Sequence, residues 1–412
     1  MKVKQVDQGA RTITIVGGVS ALALCGDSML YVVLPIYWKE AGLDSLWQVG
    51  ILLAANRFIR LPLNPLIGWL YRHMSLRTGL LAAVILGAAT TIGYGLWKGF
   101  AAWLALRAVW GIAWSLMRMG GYLTVIECAG DAKRGRYMGR YNGVWRLGSL
   151  VGVLLGGMLV PIYGLAPVSI LFGLLALAGI PLVLVAVKAV KTAESLQSGR
   201  PGAPGGSIWT IAVKKIVISG LVISMLHAIF SATLTYVIDF HYADINLIFG
   251  LVASSTALGG LLSALRCAWE PFLAGRFGRI TDGAQGRLPL FFLSLSGAAA
   301  GFAIIPWKLP IVAWIAVVIL VMMTSTALGT IMDTMAADAA KSTSVVAVMT
   351  AYSVSTDLGA ALGPALIYSV IDAEYGLLAT YLICSVLFVL TGAWYIREFR
   401  QRRRGSGVTL LH

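Results

Sequence analysis

The sequence has 412 residues, of which 58% are hydrophobic and 12% are charged, and its mean hydropathy is +0.84. Soluble proteins carry about 25% charged residues, so this composition excludes a cytosolic enzyme, a secreted disulfide scaffold and a disordered chain. The net charge of +15 would indicate a nucleic-acid or anionic partner in a soluble protein. In a membrane protein, such an excess can instead record the topology.

Twelve apolar stretches are long enough to cross a bilayer, since a membrane helix needs roughly 20 residues. They are predicted at 13–37, 48–71, 78–97, 101–127, 139–162, 165–187, 213–239, 246–275, 288–307, 310–336, 345–370 and 375–396. The first stretch is longer than the apolar region of a signal peptide, so no cleavable signal is expected. The sequence therefore predicts an all-α membrane protein with twelve transmembrane helices, called spans 1 to 12 in chain order.

The longest polar interval, 189–212, is rich in glycine and proline and is typical of a flexible linker. It follows span 6 and divides the chain into two equal sets of helices. We predict an N-terminal six-helix bundle at 1–188, a cytoplasmic linker at 189–212, a C-terminal six-helix bundle at 213–396 and a basic cytoplasmic tail at 397–412.

The basic residues predict the orientation of these helices, because cytoplasmic loops are enriched in lysine and arginine. An even number of spans places both termini on one side, and that side carries 23 of the 32 lysines and arginines. The opposite side carries three, Lys39, Lys98 and Lys308, and the remaining six are arginines within spans. Both termini are therefore predicted to be cytoplasmic, in a bacterial inner membrane.

The two halves of the chain repeat each other at a nearly constant offset. Gly148-Ser-Leu-Val-Gly152-Val153 in span 5 recurs as Gly359-Ala-Ala-Leu-Gly363-Pro364 in span 11. The end of span 2, 68–72, has a counterpart at 278–282. Two six-helix repeats of the same topology are a known construction of transporters, with the substrate near the membrane midplane.

Together with this repeat, the loop motifs resemble those of the major facilitator superfamily over essentially the whole chain. The loop from Gly68 to Arg77 keeps the glycine, leucine and terminal basic residue of the family pattern, but Arg72 replaces its acid. The second-half copy keeps the acid as Asp282, and span 4 carries a family-like Arg107 followed by Gly111.

Span 5 resembles the antiporter pattern of the same family, with valine in place of its proline. The matching residues are Gly139, Gly148, Gly152, Val153, Gly156 and Gly157. The resemblance implies a fold of two pseudo-symmetric six-helix bundles and favours export over import. It also implies gating loops and hinge glycines at Gly68, Arg72, Arg77, Gly148, Gly152, Gly156, Asp282, Gly359, Gly363 and Pro364. The alternative is that the glycines only permit close helix contact.

Charged residues within the spans follow the pattern expected of this family, since such groups turn away from lipid. Spans 3, 6, 9 and 12 contain none, and these are the peripheral helices of the family fold. With Arg140, Lys214 and Lys215 at the cytoplasmic span ends counted in the loops, the spans of the first half hold five arginines against two acids. Those of the second half hold one arginine against four acids. This asymmetry would suit an anionic or zwitterionic substrate.

Three charged residues are predicted to couple transport to protons: Asp27, Arg107 and Asp357. Burial and a neighbouring arginine change the proton affinity of a carboxylate in opposite directions, so a conformational change could release or bind a proton. Acids at the place of Asp27 resemble those of drug/proton antiporters. The alternative for Asp27 is a fixed salt bridge to Arg57 or Arg107, and Asp357 could equally be structural.

On span 4, Arg107, Trp110, Trp114 and Arg118 share one helix face, which could hold an aromatic or anionic ligand or could only pack.

Arg266 and Glu270 have the spacing of an ion pair on one helix. His227 could be a packing residue. The predicted substrate cavity comprises Tyr31, Arg57, Arg60, Trp110, Trp114, Arg118, Arg146, His227, Arg266, Glu270 and Asp333.

We therefore predict a secondary active transporter, a proton-coupled exporter of a small organic molecule. The alternatives are a proton-linked importer, a lipid or glycolipid flippase and, less favoured, a membrane assembly factor. An enzyme is not expected, because the four histidines form no convergent cluster. No metal or disulfide is expected, since the four cysteines are far apart. No nucleic-acid partner is expected, because most basic residues follow the topology, and no cofactor is expected. The expected partners are substrate, protons and lipid, and the expected state is a monomer.

Overall fold

A computed structural model describes the backbone of residues 2–128, 134–187, 209–242, 246–247, 251–252, 254–281, 288–340 and 345–408. Most side chains in these ranges are also described, but those of 1–8, 397–408 and several other positions, including Arg72, are not. Most of the predicted linker and Asp282 lie outside the described residues. All statements below concern the described part of the chain.

The described residues form thirteen α-helices, which confirms the all-α prediction. They are α1 (Lys2–Tyr37), α2 (Leu46–His73), α3 (Leu76–Leu96), α4 (Phe100–Cys128), α5 (Arg134–Tyr163), α6 (Leu165–Leu177), α7 (Gly179–Ala186), α8 (Ile211–Tyr242), α9 (Ser255–Thr281), α10 (Leu288–Ile304), α11 (Ile311–Ala340), α12 (Val345–Val370) and α13 (Gly376–Val408). Eight stretches are long and apolar enough to cross a membrane: Gly9–Tyr37, Leu76–Leu96, Phe100–Val125, Arg140–Tyr163, Leu165–Ala186, Ile211–Tyr242, Ile311–Ala336 and Gly376–Ile396. Each coincides with a predicted span, and helices also form at the other four spans.

Span 6, predicted as one helix, is divided into α6 and α7 at Ala178. Pro181 lies two residues after the start of α7, where its missing N–H and fixed ring do not fit a continuous helix. The two helices together still form one apolar stretch of membrane-spanning length, Leu165–Ala186.

The predicted start of span 8 at residue 246 is wrong. A short antiparallel pair, β1 (Asn246–Leu247) and β2 (Leu251–Val252), precedes the helix, and α9 begins at Ser255. The hydroxyl of Ser254 accepts a hydrogen bond from the amide of Ala257 at 3.1 Å. A serine in this position satisfies an otherwise unpaired amide of the first turn, so it determines where the helix starts.

The described residues fall into two compact units. The first comprises Met1–Pro204, Phe230–Ala268 and Pro364–Ser369, and the second comprises Gly205–Ile229, Trp269–Gly363 and Val370–His412. In the first unit, α1 lies along α5, and α3 packs against α4 and α6. Its core contains buried side chains from α1, α3, α4, α5 and α7, among them Val16, Val84, Met117, Tyr141 and Val183. In the second unit, α10 packs against α11 and α13.

Glycines allow close backbone contact between α1 and α5 in the first unit. A Cβ added at Gly148, Gly152 or Gly156 would overlap atoms of a residue on α1. The α1 residues opposite these glycines are, in the same order, Ala21, Cys25 and Met29. Because both sets repeat every four residues, one face of each helix makes the contact.

The second unit uses the same arrangement between α8 and α12. A Cβ at Gly359 would overlap the carbonyl oxygen of Leu221, and one at Gly363 would lie 2.7 Å from that of Met225. The glycines that repeat in the sequence thus have equivalent packing roles within their own units. Whether they also act as hinges stays a prediction.

Candidate functional site

An ion pair joins α1 to α4 inside the first unit. The guanidinium of Arg107 donates a hydrogen bond to the carboxylate of Asp27. Its Nε also donates to the backbone carbonyl of Leu52 on α2, at 2.8 Å. The side chain of Arg107 has no exposed surface, and that of Asp27 is 10% exposed. The pair is therefore sealed among helices, and its small exposed area belongs to the carboxylate of Asp27.

Residues of α3 also surround this pair. Tyr94 on α3 and Tyr31 on α1 interact electrostatically with Arg107, and Tyr94 is buried. A side chain at Gly26, next to Asp27, would overlap Thr91 of α3, so α1 and α3 approach closely beside the pair. The pair is thus enclosed by α1, α2, α3 and α4. Any change in its charge acts on all four helices.

The face of α4 that carries Arg107, Trp110, Trp114 and Arg118 has a buried part and a half-exposed part. Trp110 is 1% exposed and Trp114 is 8% exposed, and their rings are stacked with centroids 6.5 Å apart. Arg118 is half-buried, its Nε donates to the hydroxyl of Tyr122 at 3.1 Å, and its guanidinium lies 5.6 Å from the Tyr122 ring centroid. Arg107 and Arg118 therefore have different surroundings although they share a face.

Aromatic residues of α5 continue the half-exposed part. The Trp145 ring meets that of Trp114 edge to face, with centroids 5.5 Å apart, and the guanidinium of Arg146 lies 5.7 Å from the Trp145 ring centroid. The indole N–H of Trp145 donates to the side-chain oxygen of Asn142 at 3.0 Å. Sequence reasoning missed Tyr122, Asn142 and Trp145. The four-residue spacing from Arg118 to Tyr122 and the adjacency of Trp145 to Arg146 could have indicated two of them.

Arg60 and Arg57 of α2 differ in burial. Arg60 is buried, and its Nε donates to the carbonyl of Asn56 at 3.2 Å. Arg57 is half-buried. Asn64, on the same face, accepts a hydrogen bond from the hydroxyl of Ser115 on α4 at 3.0 Å. This face of α2 is thus joined to α4 by a neutral hydrogen bond as well as by the Arg107–Leu52 contact.

The remaining predicted residues of the second half lie on several helices. In the second unit, Asp333 is exposed on α11 and accepts a hydrogen bond from the hydroxyl of Tyr352 at 3.0 Å. Asp357 is half-buried on α12, and His227 on α8 lies with its ring 6.2 Å from that of Phe388. Arg266 and Glu270, both half-buried on α9, belong to different compact units. Their predicted pairing stays a prediction.

The loop between α2 and α3 contains two further predicted residues. Gly68 is half-buried on α2, and Arg77 is half-buried in the first turn of α3. That turn is capped by Ser75, whose hydroxyl accepts from the amide of Thr78 at 3.1 Å. No group of three or more histidine, cysteine or acidic residues that could hold a metal occurs in the described ranges. The four cysteines, all within the described ranges, form no disulfide.

Pro364 of α12 takes part in a backbone contact with α2 in the first unit. A Cβ at Gly50 would lie 2.5 Å from the carbonyl oxygen of Pro364 and 2.7 Å from Cβ of Tyr368. A similar contact joins α5 to α9, because a Cβ at Gly157 would lie 2.5 Å from the carbonyl oxygen of Thr256. Helices of the two sequence halves therefore meet in the first unit through glycines.

Comparisons with known proteins agree with the motifs. The MFS-type transporter YcaD of Salmonella typhi is 26% identical over 142 residues, which is 32% of this chain and 37% of the relative. The YcaD proteins of Salmonella typhimurium and Salmonella agona match with the same identity and coverage. The matched segment thus spans little more than a third of these relatives. The sequence profile of the Major Facilitator Superfamily matches residues 16–364. The chain belongs to this superfamily and has its twelve-helix fold.

Proposed function

We propose that this membrane transporter is a proton-coupled exporter of a small organic molecule, which works by alternating access in a bacterial inner membrane. In this proposal both termini are cytoplasmic, as the positive-inside pattern indicates. The observation that carries the proposal is the sealed ion pair between Asp27 and Arg107. A charged pair enclosed by four helices can convert one protonation event into a movement of those helices.

The coupling follows from the cost of an unpaired buried charge. When Asp27 binds a proton, its carboxyl becomes neutral, and Arg107 loses its counter-ion while it remains bound to the carbonyl of Leu52. Removing one partner of a buried pair costs about 3–5 kcal/mol. The protonated state is therefore expected to relax by moving α1 relative to α4. Release of the proton re-forms the pair and favours the original arrangement.

Two glycine contacts support alternating access. Gly50 meets Pro364 between α2 and α12, and Gly157 meets Thr256 between α5 and α9. Both contacts lie near the helix ends that the predicted topology places on the side opposite the termini. Opening that side would require these contacts to separate. Because the residues at the contacts are small, the separated helices would leave no large cavities.

The other predicted charges have supporting roles in the proposal. Asp357 on α12 is the second-half candidate for proton coupling, on a helix that packs closely on α8 through Gly359 and Gly363. Arginines outnumber acids in the spans of the first half, and acids outnumber arginines in those of the second half. Attraction between the two sets would break and re-form during transport.

Proton flux into reconstituted vesicles tests the proposal. Full-length protein is placed in vesicles that contain a pH-sensitive dye, and candidate compounds are screened for flux of protons that depends on the compound. Opposite movement of protons and compound is expected, with compound leaving the side of the termini. Flux of compound without protons would contradict antiport, and parallel movement would favour the importer.

Asp27→Asn should abolish compound-dependent proton flux while compound binding is largely kept. The amide keeps the size of the side chain but cannot release a proton at Asp27. The matched control is Asp44→Asn, since Asp44 is exposed in the loop before α2. Unchanged proton flux in Asp27→Asn would remove Asp27 from the mechanism.

A further inference from the structure

Two buried polar atoms at the Asp27–Arg107 pair make no hydrogen bond to any residue that the structure describes. They are Nη2 of Arg107 and the hydroxyl oxygen of Tyr94 on α3. The Arg107 side chain has no exposed surface, and Tyr94 is 3% exposed. A buried polar atom without a partner costs free energy, because it has lost its hydrogen bonds to water. Such atoms are rare in proteins, so two of them beside a buried ion pair are expected to have a role.

The two side chains lie within reach of each other. The hydroxyl of Tyr94 interacts with Arg107, and electrostatically also with Asp27 and with Tyr31 of α1. The ring of Tyr94 lies 4.8 Å, between centroids, from that of Trp103. Trp103 is fully buried and precedes Arg107 by about one turn of α4. This aromatic contact therefore holds Tyr94 against α4 within one turn of Arg107.

The hydrogen bonds of Arg107 are divided among the surrounding helices. A guanidinium has five N–H donors in one plane. Nε donates to the carbonyl of Leu52 on α2, and Nη1 donates to the carboxylate of Asp27 on α1. The donors of Nη2 form neither of these bonds. The hydroxyl of Tyr94 is an acceptor near Arg107 that comes from the third helix, α3.

The helices around the pair carry few other charges. Apart from Asp27 and Arg107, the charged or titratable Asp, Glu, Lys, Arg and His residues of α1 to α4 are Lys2, Lys4, Asp7, Arg11, Arg57, Arg60, Arg72, His73, Arg77, Arg118 and Glu127. The two other acids, Asp7 and Glu127, are each twenty residues along the chain from the pair, about 30 Å on a helix. From Gly148 to its end, α5 contains no charged residue, and neither do α6 and α7. Asp27 is thus the only acid of α1 to α7 that lies near Arg107.

We propose that Tyr94 is a positioning residue, which provides the acceptor that Arg107 takes up when Asp27 binds a proton. While Asp27 is charged, Arg107 is bonded to it and the Tyr94 hydroxyl is left over. When the carboxyl becomes neutral, the guanidinium turns to the Tyr94 hydroxyl and keeps its bond to Leu52. Arg107 is then held by α2 and α3, so α1 is the helix that is released. This inference rests on the proposed proton coupling and names the residue that directs it to one helix.

A double-mutant cycle of unfolding tests the inference without any transport measurement. The full-length proteins are unfolded by denaturant in one detergent at alkaline pH, where Asp27 is charged in the wild type. Tyr94→Phe should leave the wild-type midpoint unchanged or raise it, because it removes a buried hydroxyl that has no partner. In Asp27→Asn, whose amide stands in for the protonated carboxyl, Tyr94→Phe should lower the midpoint, because Arg107 loses its replacement acceptor. Equal shifts in the two backgrounds would overturn the inference.

Tyr71→Phe is the matched control, because Tyr71 is a buried tyrosine that also bonds to α4. Its hydroxyl donates to the carbonyl of Leu116 at 2.8 Å, nine residues after Arg107. Loss of this bond should lower the midpoint by the same amount with and without Asp27→Asn. If the shift for Tyr71→Phe depended on the background as strongly as that for Tyr94→Phe, the assignment to Tyr94 would be wrong.

The pH dependence of transport provides a second test. Without the Tyr94 hydroxyl the protonated state of Asp27 is less favourable, so protonation requires a higher proton concentration. In Tyr94→Phe, the pH of half-maximal compound-dependent proton flux should therefore fall by about one unit, which corresponds to one hydrogen bond to a charged group. Tyr71→Phe should keep the wild-type value. An unchanged value in a Tyr94→Phe protein that transports would contradict the inference.

These results can be separated from a failure of the proposed function. If the unfolding cycle shows that Tyr94 depends on Asp27 but no compound drives proton flux, the replacement acceptor stands and proton coupling fails. If Asp27→Asn abolishes proton flux but the unfolding cycle is additive, proton coupling stands and the role of Tyr94 is wrong.

Discussion

Arg107 and Arg118 lie on the same face of α4, about three turns apart, but their burial and their contacts differ. Arg107 is wholly enclosed, paired with Asp27 and bonded to the backbone of α2. Arg118 is half-buried and lies over the ring of Tyr122. The charge of Arg107 is thus balanced by the carboxylate of Asp27. The contacts described for Arg118 are with the ring and the hydroxyl of Tyr122.

The difference shows that two arginines on one helix face can have different surroundings. In our proposal, the sealed pair responds to a proton because leaving one of two paired buried charges without its partner is costly. Arg118 is instead half-buried, with its guanidinium 5.6 Å from the Tyr122 ring centroid, so replacing it should cost less stability than replacing Arg107.

The largest expected effect comes from removing the sealed charge. Arg107→Gln leaves Asp27 buried without its partner and should lower the free energy of unfolding by about 3–5 kcal/mol. Arg118→Gln, at the half-exposed end, should lower it by about 1 kcal/mol or less. Denaturant unfolding of the two proteins in the same detergent measures both. Equal losses would contradict the contrast between the two arginines.

A smaller effect is expected where α1 is pressed against α5. Gly152 faces Cys25, two residues before Asp27, and a Cβ there would overlap the backbone of α1. Gly152→Ala should lower the free energy of unfolding by about 1–3 kcal/mol, the usual cost of overpacking.

The control for this change lies on the same helix. A Cβ at Gly143 would have no neighbour within 4 Å, so Gly143→Ala should raise stability by about 0.5–1 kcal/mol through helix propensity alone. If Gly152→Ala were also stabilising, the close contact that positions Asp27 would be absent in solution.

Much of the fold could be predicted because lipid imposes a simple rule on sequence. Long apolar stretches and the asymmetry of basic residues identify the spans without any knowledge of packing. The ends of helices follow local chemistry instead. The predicted start of span 8 is wrong because the cap formed by Ser254 places the start of α9 at Ser255. Span 6 is confirmed as one stretch of membrane-spanning length, Leu165–Ala186, although its helix is divided at Ala178, near Pro181.

The candidate site could be predicted only in part. Spacing placed Arg107, Trp110, Trp114 and Arg118 on one face, and Arg107 was one of two candidate partners for Asp27. Spacing could not show which part of the face is covered, because burial depends on neighbouring helices. Tyr94 could not be predicted either, since span 3 contains no charged residue and a neutral tyrosine gives no comparable signal in the sequence.

The central claim is that the Asp27–Arg107 pair couples protons to transport and does more than stabilise the fold. The double variant Asp27→Asn/Arg107→Gln tests it most directly, because removing both charges restores the balance that either single change disturbs. We predict a protein more stable than Arg107→Gln that still moves its substrate in vesicles but without proton flux. Substrate-dependent proton flux at the wild-type level in this double variant would contradict the account.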